Sequence, residues 1–510
     1  MHPHLPARRD RLAHRVLERL GPDGLIHAPC APRVLETALL LTLLNKENLT
    51  PDGVGRARRY LKRTLNTDPP DALQCAFAHA ALGGAPIDVD TTVHAALAAF
   101  DHFSGPRKLL TFQTLLTEVT DGRHPHHLPA AEFGTTHGHQ AWLQLQMLAL
   151  KAMATPHLAT RDDWSRLTVA LQPGPPWQAN HLARLQALLA LRKNPAHRDA
   201  VRQTLLRIAA ELRPDAGLPF VTGLDVFATA VAGLALTRAL PADPRIATMA
   251  ETLTIRQNPD GGFGFTSGVT QSDVDDTSYA IEFLRAAAPL RHAPSITAAS
   301  ITAASITAAE EYLLAQRNPD GGFPTFSHGA PSEIAMTAGA INALASNPAR
   351  RPDIERAVAF LLQAGHPIER SWSRTATNAL YRTTLALAGL TPSAPAPLRS
   401  AAHIAHRSAI RHLIDIQEPD GGWGHEPGDT SDPISTSYAV IALTTQPAPV
   451  VSPALHRALD RLLAAQQPDA GYTSRADQAG PRPLLYDIPA LADIFALLAL
   501  STAPGHRDKP

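Results

Sequence analysis

Gln257-Asn258-Pro259-Asp260-Gly261-Gly262-Phe263 holds the motif that organises this sequence. The Pro-Asp-Gly-Gly-aromatic part of the stretch returns at 319–323 and 419–423, and a variant, Pro-Asp-Ala-Gly-Tyr, occupies 468–472. Successive copies lie about 50 residues apart, once a triple Ser-Ile-Thr-Ala-Ala at 295–309 and a degenerate copy near Trp372 are allowed for. A period of this length is typical of a protein built from repeated supersecondary units.

Each repeat is expected to consist of two helices joined through the motif. Proline fixes φ, aspartate offers a side-chain acceptor and glycine adopts a positive φ, so the motif ends one helix and starts the next. Ala- and Leu-rich segments with helical spacing, such as 277–284 and 436–443, lie between the motifs. Stacked helical hairpins form an open solenoid or a closed α/α toroid, and roughly six units in about 300 residues favour closure.

The first half of the chain contains only partial copies of the motif, Pro-Asp-Gly at 22–24 and 51–53. Its apolar segments at 34–44 and 142–151 nevertheless have helical spacing. A chain of 510 residues is too long for one ordinary domain, because single cores stop growing at about 250–300 residues. We therefore predict a second, more degenerate helical domain in the first half.

Composition and charge exclude several classes of protein. The 46 Lys and Arg residues balance 46 Asp and Glu residues, so the chain lacks the basic excess of a nucleic-acid binder. Two cysteines are too few for a disulfide framework or a thiolate zinc site. Neither the apolar core of a signal peptide nor an uncharged apolar stretch of about 18 residues is present. We expect a cytoplasmic protein with no membrane span and no nucleic-acid partner.

The start of one helix per repeat can be aligned about 10 to 13 residues after the turn aspartate. The aligned segments are Asp225-Val-Phe-Ala-Thr229, Asp273-Val-Asp-Asp-Thr277, Glu333-Ile-Ala-Met-Thr337 and Asp432-Pro-Ile-Ser-Thr436. Because an acidic residue recurs in the first place, we interpret Asp273 as a helix N-cap. Asp275 and Asp276 do not recur, since the sister repeats have apolar or uncharged residues at their positions.

Three carboxyl groups within four residues at a buried helix start repel one another. At least one of them should therefore keep its proton well above the usual aspartate pKa of about 3.9. A structural module gains nothing from this repulsion, so the comparison of repeats favours a catalytic function. A protonated aspartate is a Brønsted acid, and its chemistry is proton delivery.

Asp273-Val274-Asp275-Asp276, in a chain with glycine-aromatic repeats, resembles the Asp-x-Asp-Asp motif of class II terpene cyclases. Further segments, at 23–38, 107–118, 331–333 and 421–424, are similar to segments of bacterial class II diterpene cyclases of the copalyl or clerodienyl diphosphate type. The resemblance extends over nearly the whole chain. It implies an all-α fold of two α/α-barrel (toroid) domains, the βγ didomain architecture. The β domain would comprise residues 1–25 and 205–510, and the inserted γ domain residues 26–204.

The resemblance also implies roles for single residues. Asp275 would protonate the terminal alkene of a prenyl diphosphate substrate, while Asp273 and Asp276 would orient it and help to hold its proton. Tyr279, one helical turn after Asp275, and Trp372 are candidates for the wall that contacts the substrate. The alternative for either ring is ordinary core packing, which the sequence favours slightly, since a lone aromatic residue on a helical repeat is usually part of the core.

A diphosphate-binding site is implied in addition, and for it Lys108 and Arg482 are the candidates. The family uses Mg²⁺ to help hold the diphosphate, but the sequence does not identify the metal ligands. Asp88-Val-Asp90 offers two oxygen ligands, although an Asp-x-Asp before a helix is commonly a cap. Gln74 occupies a place where the family often has Glu.

The function implied first is that of a class II diterpene cyclase, an isomerase or intramolecular lyase. It would convert geranylgeranyl diphosphate to a bicyclic diphosphate of the copalyl, clerodienyl or halimadienyl type. Asp162-Asp163 lacks the third acid of a class I Asp-Asp-x-x-Asp motif, so the product should keep its diphosphate. We expect that product to pass to a class I terpene synthase or another downstream enzyme.

Several alternatives remain open at this point. A drimenyl-type sesquiterpene cyclase or a squalene-type triterpene cyclase would use the same acid, but an aromatic content of only 5% counts against the longer triterpene cascade. Glycosidases need two carboxyl groups across a cleft, and prenyltransferases need a cysteine zinc ligand in the repeat domain. A non-catalytic α-toroid binding protein would predict that Asp275 and Asp276 are dispensable.

Overall fold

Helices make up nearly all the regular structure of the described residues. The structure, a computed structural model, describes residues 4–49, 52–122, 140–174, 177–213, 217–290, 296–326, 330–365, 372–446 and 448–503. Its helices are α1 (Leu5–Leu17), α2 (Val34–Lys46), α3 (Asp52–Thr67), α4 (Ala72–Ala81), α5 (Val89–Leu97), α6 (Gly105–Thr120), α7 (Ala141–Ala154), α8 (Arg161–Leu167), α9 (His181–Leu191), α10 (Arg198–Ala210), α11 (Asp225–Ala239), α12 (Arg245–Ile255), α13 (Val274–Ala287), α14 (Ile296–Gln316), α15 (Ile334–Leu344), α16 (Arg351–Ala364), α17 (Ala376–Ala388), α18 (Ala396–Asp415), α19 (Pro433–Leu443), α20 (Ala448–Ala465) and α21 (Ala490–Thr502).

Short elements complete the secondary structure of these residues. Single 3₁₀ turns are formed by Pro156–Leu158, Thr168–Leu171, Pro195–His197, Ala288–Leu290 and Pro348–Arg350. The two-residue strands are β1 (Pro32–Arg33), β2 (Leu218–Pro219), β3 (Gln478–Ala479) and β4 (Leu485–Tyr486). No helix in the described part of the chain is long and apolar enough to cross a lipid bilayer.

The repeated motif forms the turn that the sequence predicts. In the first copy, Gly261 has a φ of +87°, and a Cβ there would lie 2.5 Å from the carbonyl oxygen of Ala308, so only glycine fits. Asp260 accepts a hydrogen bond from the amide of Gly262 at 3.0 Å. The amide of Phe263 then donates to the hydroxyl of Thr277 at 2.9 Å, which ties the turn to the helix that follows it. The copies at 319–323 and 419–423 repeat the positive φ and both bonds.

Six helices form a closed inner ring in one of two compact units. The inner helices α11, α13, α15, α17, α19 and α21 pack in that order, and α21 packs against α11 to close the ring. The neighbouring helices α12, α14, α16, α18 and α20 cover the first five on the outside, and α1 covers α21. The inner helices are Ala- and Leu-rich and buried on nearly every side, as an inner ring covered by an outer layer requires. The predicted closed α/α toroid is confirmed.

The second unit has its own helical ring. Helices α2, α4, α6, α7 and α9 pack in that order, and α9 returns to α2. Helices α3, α5, α8 and α10 pack on this ring. The sequence of this unit has only partial copies of the glycine motif, yet its architecture is again all-α and ring-like.

The division of the chain differs from the predicted boundaries at 25/26 and 204/205. The unit with the six-helix ring comprises residues 1–29, 223–478 and 488–510, and the second unit comprises 30–222 and 479–487. A boundary at 204 would cut the continuous helix α10. Residues 218–219 pair with 32–33 as β2 and β1, and the amide of Ala31 donates to the carbonyl of Asp487 at 2.8 Å. Arg482 therefore belongs to the second unit, not to the repeat domain where the sequence placed it.

One buried carboxylate, Asp493 on α21, fastens α1 to the ring. It is 1% exposed and accepts hydrogen bonds from Arg15 of α1 and from Arg19 just after α1, both at 3.1 Å, and from the amide of Tyr472 at 2.7 Å. We predict that Asp493→Asn lowers the free energy of unfolding by about 1–3 kcal/mol, because the arginine partners lose their counter-charge.

Asp469→Asn is the matched control, because exposed Asp469 also pairs with Arg15, at 2.9 Å. Its loss should cost less than about 1 kcal/mol, since exposed ion pairs contribute little. Urea unfolding followed by circular dichroism measures both variants. Equal losses for the two variants would contradict the role given to Asp493.

Candidate active site

The first turn of α13 carries the three carboxyl groups and is fixed by backbone hydrogen bonds. Asp273 accepts from the amide of Asp276 at 2.8 Å, which is the N-cap bond that the sequence predicts. The Asp273 amide donates to the carbonyl of Phe263 in the preceding turn at 3.0 Å. The Val274 amide donates to the carbonyl of Thr325 in the next repeat, also at 3.0 Å. The motif is thus held between two adjacent turns of the toroid.

The capping role is shared by only one sister carboxylate. Asp432 caps α19 through the amide of Ser435 at 2.9 Å. Glu333 instead accepts from the amide and hydroxyl of Thr325, and Asp225 accepts from the amide of Ala28. The recurrent acid therefore binds backbone in each repeat, but not always that of its own helix.

The flanking aspartates of the motif form a buried pair that shares a proton. Asp273 and Asp276 are 3% and 4% exposed. Burial raises the pKa of both groups, and the charge of Asp273 raises the pKa of Asp276 further, to well above its usual range. Asp276 holds the proton, and the carboxylate of Asp273 accepts its hydrogen bond. The expected retention of a proton by at least one of the three acids follows from this geometry.

Asp275 differs from its two neighbours in keeping part of its surface accessible. Burial of the carboxyl raises its pKa to about 7; the positive charge of Arg382 opposes this, and the negative charges of Asp273, Glu282 and Glu333 add to it. A partly exposed carboxyl group that keeps its proton up to about pH 7, in surroundings that are mostly buried, is suited to donate a proton.

Tyrosine and phenylalanine rings lie next to the acid on the inner helices. Tyr279, one turn after Asp275, is 2% exposed, and its hydroxyl bonds to that of Tyr381 at 2.7 Å. Its ring meets Phe227 edge to face, with centroids 5.3 Å apart. Tyr381 stacks on Tyr438, with centroids 5.4 Å apart and an interplanar angle of 5°. Tyr279 is therefore part of a packed aromatic cluster, which is the core interpretation that the sequence left open.

Trp372 is half-buried just before α17. Its indole N–H donates to the hydroxyl of Thr325 at 3.1 Å, and its ring meets Phe326 edge to face at 5.4 Å. Since the carbonyl of Thr325 accepts from Val274, Trp372 is connected to the start of α13 through a single residue. Trp372 retains the partial exposure that a wall residue needs.

The sequence analysis missed two groups of charged residues inside the ring. Arg382, 2% exposed, pairs with Glu282 at 2.7 Å. Asp477 is also buried; it accepts from the hydroxyl of Ser373 and the amide of Thr375, and burial raises its pKa to about 6. The sequence does indicate that Glu282 lies on the same face of α13 as Asp275, because it follows Asp275 by two helical turns. Nothing in the sequence brings Arg382 or Asp477 to these positions.

The proposed diphosphate ligands lie together in the second unit. Lys108, in the first turn of α6, is 8% exposed. Burial and the positive charges of Arg107 and Arg482 lower its pKa to about 7. Three cationic side chains thus lie close to one another, an arrangement that an anionic ligand would stabilise. Arg107 is the member of this cluster that the sequence analysis did not single out as a ligand.

The acidic residues considered for Mg²⁺ are engaged in local structure. Asp88 caps α5 through the amide of Thr91 at 3.1 Å, and Asp90 accepts from the side chain of Gln113 at 2.9 Å. Across the described ranges, no group of three His, Cys, Asp or Glu side chains is arranged to hold a metal ion. The described residues do not supply a ligand set for Mg²⁺, and no chemical step is assigned to it.

The raised pKa of Asp275 predicts an effect on stability as well as on reactivity. A carboxyl group whose pKa is higher in the folded than in the unfolded protein destabilises the fold as the pH rises from about 4 to 7. Asp275→Asn should therefore raise the melting temperature relative to the wild type more at pH 8 than at pH 5. Calorimetry at both pH values measures this difference, and the same change at both would contradict the raised pKa.

Comparison with known proteins places this geometry in a family. The family model described as "Squalene-hopene cyclase C-terminal domain" matches residues 270–504. A drimenyl diphosphate synthase of Streptantibioticus cattleyicolor is 55% identical over 522 residues, covering 98% of this chain and 95% of the relative. A drimenyl diphosphate synthase of Streptomyces showdoensis is 50% identical over 520 residues, with the same coverage of 98% and 95%.

A solved structure shows the same fold. The ent-copalyl diphosphate synthase from Streptomyces platensis aligns with a TM-score of 0.61 at 18% identity, covering 98% of this chain and 99% of that one. This likeness agrees with the predicted all-α architecture of two toroid domains. Identity above 50% along nearly the full length of a relative shows the family, and with it a cyclising enzyme of the isomerase type. The chain belongs to the class II terpene cyclases.

Proposed function

We propose that this enzyme is a sesquiterpene cyclase that converts farnesyl diphosphate to drimenyl diphosphate. The observation that carries the proposal is the partly exposed carboxyl group of Asp275, with its pKa raised to about 7, in a chain 55% identical to a drimenyl diphosphate synthase. The sequence analysis placed a diterpene cyclase acting on geranylgeranyl diphosphate first. The two relatives support its sesquiterpene alternative instead.

The reaction is an isomerisation started by proton transfer. The carboxyl group of Asp275 donates its proton to the terminal alkene of the prenyl chain, whose π electrons form the new C–H bond. The resulting tertiary cation is attacked by the next alkene, and a second closure gives a bicyclic cation. Loss of a proton to a base forms the final alkene, so the product has the composition of the substrate and keeps its diphosphate.

The surroundings of Asp275 support this order of events. An alkene is a very weak base, so the proton donor must act where water does not compete for the proton. The packed tyrosine and phenylalanine rings around Tyr279 lie in the same unit as Asp275 and help to keep water from it. The pair of Asp273 and Asp276 keeps a proton of its own beside the donor.

The diphosphate is assigned to Lys108 and Arg482, with Arg107 as a third cation. A protonated lysine and two guanidinium groups form charge-assisted hydrogen bonds with phosphate oxygens. Because the pKa of free Lys108 is near 7, binding of a dianionic group would keep it protonated. Mg²⁺ is proposed only as a companion of the diphosphate, held through its oxygens. Location in the cytoplasm and transfer of the product to a class I synthase or another downstream enzyme are parts of the same proposal.

Incubation with substrates of three lengths tests the proposal. Purified enzyme is given farnesyl diphosphate, geranylgeranyl diphosphate or squalene, with and without Mg²⁺, and the dephosphorylated products are identified by mass spectrometry. We expect drimenol from farnesyl diphosphate and less turnover of the longer substrates. Asp275→Asn should lower the rate by about 10⁴-fold, because the general acid is lost.

Asp320→Asn, which alters a turn aspartate in the next repeat, is the control and should stay within about threefold of the wild type. Preferred turnover of geranylgeranyl diphosphate would restore the diterpene interpretation, and of squalene the triterpene one. Full turnover by Asp275→Asn, or no turnover of any prenyl substrate, would overturn the proposal in favour of a non-catalytic toroid.

The diphosphate assignment predicts a separate effect of Lys108. Lys108→Gln should reduce kcat/KM by about 10- to 100-fold, mainly through KM, because one charged hydrogen bond to the diphosphate is lost. Lys62→Gln, at an exposed position of α3, is the matched control and should leave both constants unchanged. Steady-state kinetics with farnesyl diphosphate measures both variants, and an unchanged KM in Lys108→Gln would exclude Lys108 as a ligand.

A further inference from the structure

The ion pair of Arg382 and Glu282 lies inside the ring of mostly apolar inner helices. The Arg382 guanidinium on α17 donates to both carboxylate oxygens of Glu282 on α13, at 2.7 and 3.4 Å. A buried ion pair seldom adds stability over apolar packing, because both charges must leave water. Its presence beside the proton donor therefore needs a reason other than stability.

The guanidinium also organises the rings next to Asp275. Its central carbon lies 4.2 Å from the centroid of the Tyr279 ring and 5.6 Å from that of Tyr381. These two tyrosines share a hydroxyl-to-hydroxyl bond, so one cation fixes both rings. On α15, Gly339 leaves the space that the guanidinium occupies, since a Cβ there would lie 3.0 Å from Nη2. Three neighbouring inner helices are thus shaped around Arg382.

The pair also contributes opposite charges to the surroundings of Asp275. Asp276, Tyr279 and Tyr438 are buried near Asp275 and interact with it electrostatically. The charged groups that act most strongly on this carboxyl are Arg382 from α17, Glu282 from α13 itself, Asp273 at the start of α13 and Glu333 at the start of α15. Of these four, Arg382 is the one that stabilises the carboxylate formed when the proton leaves. Glu282, bound to it, limits that effect.

We propose that Arg382 and Glu282 are positioning residues that hold the Tyr279–Tyr381 pair and set the electrostatic field in which Asp275 releases its proton. Neither residue touches the reacting atoms in this account. This inference rests on the proposed function in one respect: it takes the cyclisation of farnesyl diphosphate as the reaction that the proton of Asp275 starts.

Substitution of the two partners should move the pH dependence in opposite directions. Activity requires protonated Asp275, so kcat falls as the pH rises through the pKa of this group. Arg382→Gln removes the positive charge and leaves the charge of Glu282 unopposed, which raises the pKa of Asp275. The fall in kcat should therefore move to a pH about one unit higher. The plateau of kcat should drop at least tenfold, because Asp275 is then a weaker acid. Glu282→Gln shifts the fall to lower pH. Saturating farnesyl diphosphate keeps the titration of Lys108 from entering through KM.

Arg285→Gln is the matched control on the same helix. Arg285 of α13 is also paired with a buried glutamate, Glu310, whereas the charges that act most strongly on Asp275 are those of Arg382, Asp273, Glu282 and Glu333. It should lower the melting temperature without moving the pH at which kcat falls. Arg382→Lys should keep the position of the fall close to that of the wild type, since the charge remains, while losing part of kcat because lysine cannot bond both oxygens of Glu282.

A measurement without substrate separates this inference from the proposed function. The change in melting temperature caused by Asp275→Asn is compared at pH 5 and pH 8 in wild-type, Arg382→Gln and Glu282→Gln backgrounds. The difference between the two pH values should be largest in Arg382→Gln and smallest in Glu282→Gln. Failure to turn over any prenyl substrate would overturn the proposed function alone. Equal differences in the three backgrounds, or shifts of the same sign from both substitutions, would overturn the role of the pair.

Discussion

Burial of three carboxyl groups in one helical turn is the constraint on which the site depends. In water these groups would all ionise and could not protonate an alkene. At the start of α13 the Asp273–Asp276 pair shares one proton, and Asp275 keeps another to about pH 7. The closed ring makes this possible, because packing within the ring removes most of the first turn of α13 from water.

The repeats explain how such a turn can be tolerated. In three copies the glycine motif is hydrogen-bonded to the helix that follows it, and the acceptor each time is the hydroxyl of the equivalent threonine, Thr277, Thr337 or Thr436. The start of α13 is therefore fixed by bonds that do not depend on the side chains of Asp275 or Asp276. The repeat that contains α13 can therefore carry Asp275 and Asp276 without losing its turn or its N-cap. In this way one of several structural repeats becomes a reactive site.

The sequence was sufficient for the features that are repeated or local. Comparison of equivalent positions in the repeats predicted the closed toroid, the N-cap at Asp273 and the exceptional acids Asp275 and Asp276. It could do so because every repeat packs in the same way. The boundary between the units was missed, since β1 and β2 join residues distant in sequence and 479–487 return to the second unit. Arg382 was missed for the same reason: its partner lies 100 residues away, on a helix that is not its neighbour in sequence. The length of the substrate depends on the shape of the cavity, which the repeat pattern does not describe, so the proposal of farnesyl diphosphate rests on the two relatives.

The central claim is that a proton from Asp275 starts the reaction, while the diphosphate stays in place. Turnover of farnesyl diphosphate in D₂O tests it most directly, because the carboxyl proton exchanges with solvent and the donor then carries deuterium. The account predicts a bicyclic product with one deuterium on the carbon that was protonated and with its diphosphate retained. A product without deuterium, or one that has lost its diphosphate through ionisation, would contradict it.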